Sequence, residues 1–196
     1  MKSDLCKLTR NTVSLKNILQ ESEKAAAYAN LDKKEVLNLR LMAEELIGML
    51  PELLDFSDGE FWIECEGKKF ELHVSLVPNE ALTFEKREKL LSVSSDGKNA
   101  AAVGIMSKIK IAATFMMIDY EKTFQTGSSF YSYGLGGNLD LQCPIWTLTN
   151  YRQNVSKEKD EKWDELEKSI IANIADDVSV GLQGSKVEIT VKKTLI

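Results

Sequence analysis

The stretch Phe61-Trp-Ile-Glu-Cys-Glu-Gly-Lys-Lys-Phe-Glu-Leu-His-Val-Ser-Leu76 decides the fold class. Phe61, Ile63 and Cys65 fall on alternate residues, and so do Phe70, Leu72, Val74 and Leu76. A period of two places each set on one face of a strand. Glu66 and Gly67 begin the turn between the two runs, so the stretch reads as a β-hairpin. The opposite face carries Glu64, Glu66, Lys69, Glu71 and Ser75. An antiparallel pair buried against helices on one side produces that alternation.

Working outward, the chain closes on a second hairpin. Val178, Val180 and Leu182 alternate, Gln183-Gly184 turns, and Val187, Ile189 and Val191 alternate again. Before the first hairpin, Leu15, Ile18, Leu19 and the run Ala25 to Ala27 predict a helix over Ser14 to Asn30. Asp32 offers an N-cap, with Glu35 three residues on as an acidic capping box. A second helix then runs from about Lys33 to Met49, with Pro51 expected to end it. Further helices are predicted over about Thr83 to Leu91, from Ala100 onward, and over about Lys157 to Ala175. The fold class is therefore α+β, a two-layer sandwich in which an antiparallel sheet of two or more hairpins is covered on one face by helices. The organisation is a single domain, 1–196, with a long loop insertion at about 120–156 that is rich in Gly, Ser, Thr, Asn and Tyr.

Composition narrows the chemistry. The chain has 196 residues, a formal charge of −5, one histidine and three cysteines. Net negative charge argues against a nucleic-acid partner, because such proteins present a basic face to phosphate. The most apolar segment, Ala100 to Ile118, contains Lys108 and Lys110, which makes it a buried helix rather than a membrane span. Cys6, Cys65 and Cys143 are scattered and make no ligand pair, and no metal site is predicted. No secretory signal is visible in Met1 to Lys16, so a cytoplasmic setting with reduced thiols is expected.

Two loops are candidates for anion or ligand binding. Ser94-Ser95-Asp96-Gly97-Lys98-Asn99 precedes the apolar helix, where free N–H groups and the helix dipole favour an anion. Gly97 allows close approach, Lys98 neutralises phosphate, and Asn99 stands at the helix start. The competing reading is an ordinary turn with Asp96 or Asn99 as N-cap. Gly134, Gly136 and Gly137 read as a ligand lid or as a plain loop tip. On the polar face of the hairpin, His73 reads as a surface histidine. Trp62 shares that face and suggests a protein partner or a homodimer contact, unless the segment from Tyr120 to Ser156 folds over it.

The stretch Lys168-Ser-Ile-Ile-Ala-Asn-Ile-Ala-Asp-Asp-Val-Ser-Val-Gly-Leu-Gln-Gly-Ser-Lys-Val-Glu-Ile-Thr-Val-Lys-Lys193 resembles the end of the histidine-kinase-like ATPase domains of the GHKL superfamily, most of all the anti-sigma-factor type. Leu41-Met-Ala-Glu-Glu-Leu-Ile-Gly48 stands where that family has its N-box helix, just before a hairpin. The family order of helix, helix, hairpin, variable lid region, helix and hairpin spans most of the chain. The resemblance implies a regulatory domain that binds ATP and acts on a protein partner. It gives Glu44 the role of catalytic carboxylate and places Glu45, Gly97, Lys98, Asn99, Gly134, Gly136 and Gly137 around the nucleotide. The family asparagine that binds magnesium stands four residues after the N-box glutamate. Here that position is Gly48 counted from Glu44, or Met49 counted from Glu45. The Asp-x-Gly-x-Gly motif after the hairpin is replaced by Val77-Pro78-Asn79. ATP is thus implied without a clear magnesium ligand, and a non-enzymatic interaction module of the same fold is the alternative. A small-molecule enzyme using Glu44 and Lys98 is a third class.

Overall fold

The structure, a computed structural model, describes residues 1–9, 15–53, 55–79, 146–155, 169–183 and 186–195. The elements among them are β1 (Cys6–Leu8), α1 (Leu15–Tyr28), α2 (Lys33–Leu53), β2 (Phe56–Glu66), β3 (Lys69–Pro78), β4 (Trp146–Thr147), α3 (Leu148–Val155), α4 (Ile170–Ile174), β5 (Asp177–Gln183) and β6 (Lys186–Thr194). The strands form one sheet in the order β1-β2-β3-β6-β5-β4, with every neighbouring pair antiparallel. The architecture is an α+β sandwich. Both predicted hairpins form, and they lie side by side through β3 and β6, with Val74 opposite Ile189 and Leu72 opposite Val191.

The two-residue turn Gly67-Lys68 closes the first hairpin, with Glu66 opposite Lys69. Gly67 has a φ of 59°, a conformation that costs glycine nothing and that a tight hairpin demands at its first central position. Gly59 serves a different purpose. It pairs with Leu8 on one side and Leu76 on the other. A Cβ there would stand 2.7 Å from Leu76 Cδ2 and 3.0 Å from the Ser75 carbonyl oxygen. Glycine therefore lets the two leucines close over the strand.

The inner face of the sheet carries the alternating set. Phe61, Ile63, Phe70, Leu72, Val74, Val178, Val180, Val187, Ile189 and Val191 are all buried. They pack on Ile18, Ala25 and Ala26 of α1, on Leu39, Met42, Leu46 and Leu50 of α2, and on Ile171 of α4. Apolar burial on this scale is the main favourable contribution to folding.

Local chemistry sets the helix ends. Asn30, at a φ of 52°, ends α1, with its N–H on the Ala27 carbonyl and the Leu31 N–H on the Ala26 carbonyl. That is the Schellman pattern, with asparagine in the left-handed position usually given to glycine. The capping box of α2 forms as read: Glu35 N–H donates to Asp32 Oδ1 at 2.8 Å, and Asp32 N–H donates to Glu35 Oε2 at 2.9 Å. Lys68 from the hairpin turn also reaches Glu35, at 3.0 Å, and so ties α2 to the sheet.

Three expectations need correction. Pro51 does not end the second helix, which continues to Leu53. A proline removes the hydrogen bond to the carbonyl four residues earlier and crowds that carbonyl, and at Pro51 the helix carries this for only two further residues. The segment 146–155, taken as the end of a loop, is β4 followed by α3. The remainder of the predicted insertion, 120–145 and 156, lies outside the described residues, as do the helices predicted over about Thr83 to Leu91 and from Ala100 onward. The helix expected over Lys157 to Ala175 does not run unbroken: Ser169 is extended (φ −93°, ψ 128°) and caps α4, which spans only Ile170–Ile174.

Candidate functional site

Glu44 and Glu45 are adjacent on α2, about 100° apart around its axis, and they meet different environments. Glu44 lies at the surface. Its Oε1 accepts from Arg40 Nε at 3.0 Å, one turn earlier, and Arg40 also reaches Glu23 of α1 at 3.4 Å. The Glu44 side chain is 36% exposed, so this is a solvated i,i+4 pair of small energetic weight.

Glu45 turns toward α4. Its Oε1 accepts from the Ser169 hydroxyl at 3.1 Å and from the Ile170 N–H at 3.2 Å, and its Oε2 accepts from the Ile171 N–H. Ser169 Oγ in turn accepts from the Ala172 N–H at 3.2 Å. The first turn of a helix has N–H groups without intrahelical partners. Glu45 therefore supplies from α2 an acceptor for the free N–H groups of the first turn of α4. The other end of α4 is held in the complementary way. Arg152 of α3 donates to the carbonyls of Ala172, Ala175 and Asp176. An anion at the amino end and a cation at the carboxyl end both match the helix dipole.

The acidic turn after α4 is equally engaged. Asp176 accepts from Lys193 Nζ at 2.8 Å and from the Thr194 N–H at 2.6 Å. Burial works to raise the pKa of this carboxyl, but the lysine and the backbone donor outweigh it and hold it below the usual value. Asp177 Oδ1 accepts from the N–H and the hydroxyl of Thr149, both at 2.9 Å, at the start of α3.

The positions implied for magnesium do not fit that ion. Met49, four residues after Glu45, is a core side chain at 9% exposure, and its thioether is not the hard oxygen donor that magnesium takes. Gly48, four residues after Glu44, has no side chain, and a Cβ there would meet nothing within 4 Å. Among the described residues no group of three or more His, Cys, Asp and Glu is placed to hold a metal ion. Gly97, Lys98, Asn99, Gly134, Gly136 and Gly137 lie outside the described residues.

On the outer face of the sheet, Trp62 and His73 are cross-strand partners. Their rings stack at 4.8 Å between centroids, with 8° between planes. Lys2 Nζ lies 4.9 Å from the Trp62 ring centroid, and Trp62 Nε1 donates to Glu64 at 3.0 Å. Trp62 is therefore half-buried by contacts within the chain. His73 is not the surface histidine expected from the strand pattern, because its side chain is only 17% exposed. Burial pushes the imidazole pKa below the ordinary value, against the pull of Glu64, Glu71 and Glu188. Cys6 and Cys65 are free thiols, and burial raises the pKa of both, so neither is activated as a thiolate.

Sequence reasoning missed Ser169 and Arg152. Ser169 had a readable signal, a serine directly before the apolar run Ile170-Ile171. Arg152 had none, since its partners stand 20 or more residues away. No helix among the described residues is long and apolar enough to cross a membrane. Set against protein-family models, curated proteins and solved structures, the chain matches none of them.

Proposed function

We propose that this chain is a regulatory protein-interaction domain on a histidine-kinase-like ATPase scaffold, and that it does not carry out magnesium-dependent phosphoryl transfer. The engagement of Glu45 carries this reading. Counted from Glu45, the N-box carboxylate is occupied by three donors from residues 169–171 and a buried methionine stands at the magnesium position; counted from Glu44, the carboxylate pairs with Arg40 at the surface and the magnesium position is Gly48. Phosphoryl transfer depends on a positioned acid and a metal clamp. Here Glu45 holds a helix, Glu44 is paired with Arg40, and neither Gly48 nor Met49 offers a side-chain oxygen to a metal. The scaffold part of the reading is supported by the element order: after the short β1, two helices, a hairpin, an intervening segment that ends in β4 and α3, then α4 and a closing hairpin. The contact surface is the outer face of the sheet around Trp62, opposite the face that packs on α1, α2 and α4. A cytoplasmic setting accords with the free thiols of Cys6 and Cys65.

Calorimetric titration of the chain with ATP and ADP, with and without magnesium, tests the proposal. No magnesium-dependent heat is expected at millimolar nucleotide, and saturable magnesium-dependent binding would overturn the reading. Light scattering of the wild type and Trp62→Ala tests the contact surface, with loss of assembly expected in the variant. A second reading, ATP binding without magnesium through Gly97, Lys98, Asn99 and the Gly134, Gly136 and Gly137 cluster, is favoured by chain order. Both segments fall between β3 and β4, in the place of the family lid.

A further inference from the structure

We propose that the outer face of the sheet carries an acid-operated switch, in which protonation of His73 reverses its hydrogen bond with Thr190 and completes an ion pair with Glu71. The inference is independent of the nucleotide reading. It starts from the two ring nitrogens. Nδ1 lies 3.1 Å from Thr190 Oγ1 on β6. Nε2 lies 3.4 Å from Glu71 Oε2, within ion-pair reach but outside hydrogen-bond alignment. It is shielded from solvent and, among the described residues, has no hydrogen-bond partner.

This geometry selects the neutral tautomer. A lone pair on Nε2 would face a carboxylate, whereas an N–H there faces it favourably. The single proton therefore sits on Nε2, and Nδ1 accepts from the Thr190 hydroxyl. The second proton must enter at Nδ1. That proton comes from solvent; the Thr190 hydroxyl keeps its own hydrogen, rotates it away from the ring and accepts from Nδ1–H through an oxygen lone pair. The new positive charge lies against Glu71 and keeps its stack on Trp62, where a cation on the ring face is attracted by the π system.

The other charges around the imidazole explain why the switch is poised rather than fixed. Glu64 on β2, Glu71 on β3 and Glu188 on β6 favour the charged ring. Lys2, over the same indole, opposes it, and burial opposes it most. Lys192 Nζ lies 3.5 Å from Glu71 Oε1 and competes for that carboxylate. Neutral and charged forms thus each have specific partners on three strands, and a proton decides between them.

His73 is the only histidine, so one imidazole reports the whole event in an NMR titration of the full chain. The neutral ring is expected to show its proton on Nε2, with a titration midpoint below 6.5. Two conservative variants separate the terms. Glu71→Gln removes an attractive charge and moves the midpoint down. Thr190→Val removes the oxygen that accepts from the charged ring, a stronger bond than the one it donates to the neutral ring, and also moves the midpoint down, each by about half a pH unit for a partly exposed cluster. A neutral proton on Nδ1, a wild-type midpoint at or above 6.5, or the failure of either variant to shift in its stated direction overturns the proposal.

Discussion

Phe61 and Trp62 are consecutive residues of one strand, yet they are held by different physics. Phe61 faces the helices at 0% exposure, among aliphatic side chains that give area but no direction. Trp62 faces outward, where its contacts among the described residues include a stacked imidazole, a lysine over its face and a carboxylate on its N–H, all directional. The difference teaches that the inner face defines the fold, while the outer face holds charged and polar groups that respond to pH and salt. The same contrast recurs on α2. Glu44 pairs with Arg40 at the surface, whereas Glu45, one residue on, reaches across 124 to 126 positions of sequence to cap α4.

Four substitutions break or sharpen this contrast. Phe61→Ala empties a ring-sized space in the dry layer and should cost about 3–5 kcal/mol in denaturant unfolding. Glu45→Ala leaves three donors without their acceptor and should cost about 1–3 kcal/mol, with faster hydrogen exchange concentrated at Ile170 and Ile171. Trp62→Ala should cost about 1 kcal/mol, part of it already lost in high salt, because the stack and the lysine contact are its main terms. If it costs as much as Phe61→Ala, the two faces are not physically distinct. Glu44→Ala should change stability by no more than about 0.5 kcal/mol in the same assay.

Acid titration of stability probes the outer face without mutation. The folded-state pKa of His73 is depressed, so the folded state resists a proton that the unfolded chain accepts. The contribution from the neutral ring is therefore complete above about pH 6.5 and is lost as pH falls from there through the lower folded value. Replacing His73 by Gln should flatten this part of the stability–pH curve.

The parts of the fold that sequence discloses are those written in local periodicity. The two hairpins follow from alternation, and α1 and α2 from helical spacing with a capping box between them. β1 and β4 escape this kind of reading because each is three residues or fewer and exists only through its neighbour in the sheet. The boundary at Pro51 misleads because a proline signals a helix end without measuring how close that end already is. The site was less legible than the fold. Glu44 and Glu45 look alike in sequence, and only the distant Ser169-Ile170-Ile171 turn distinguishes them. The stack of Trp62 on His73 escapes sequence reading because alternation assigns a face but says nothing of cross-strand contacts on it.

The central claim is that Glu45 holds a helix rather than serving nucleotide chemistry. The most direct test is the hydrogen-exchange rate of the Ile170 and Ile171 amides, measured in the wild type and in Glu45→Ala, with and without ATP and magnesium. The account predicts slow exchange in the wild type that nucleotide and metal leave unchanged, and fast exchange in the variant. Release of these amides in the wild type on addition of ATP and magnesium would show the carboxylate leaving the helix for the nucleotide site, and would contradict it.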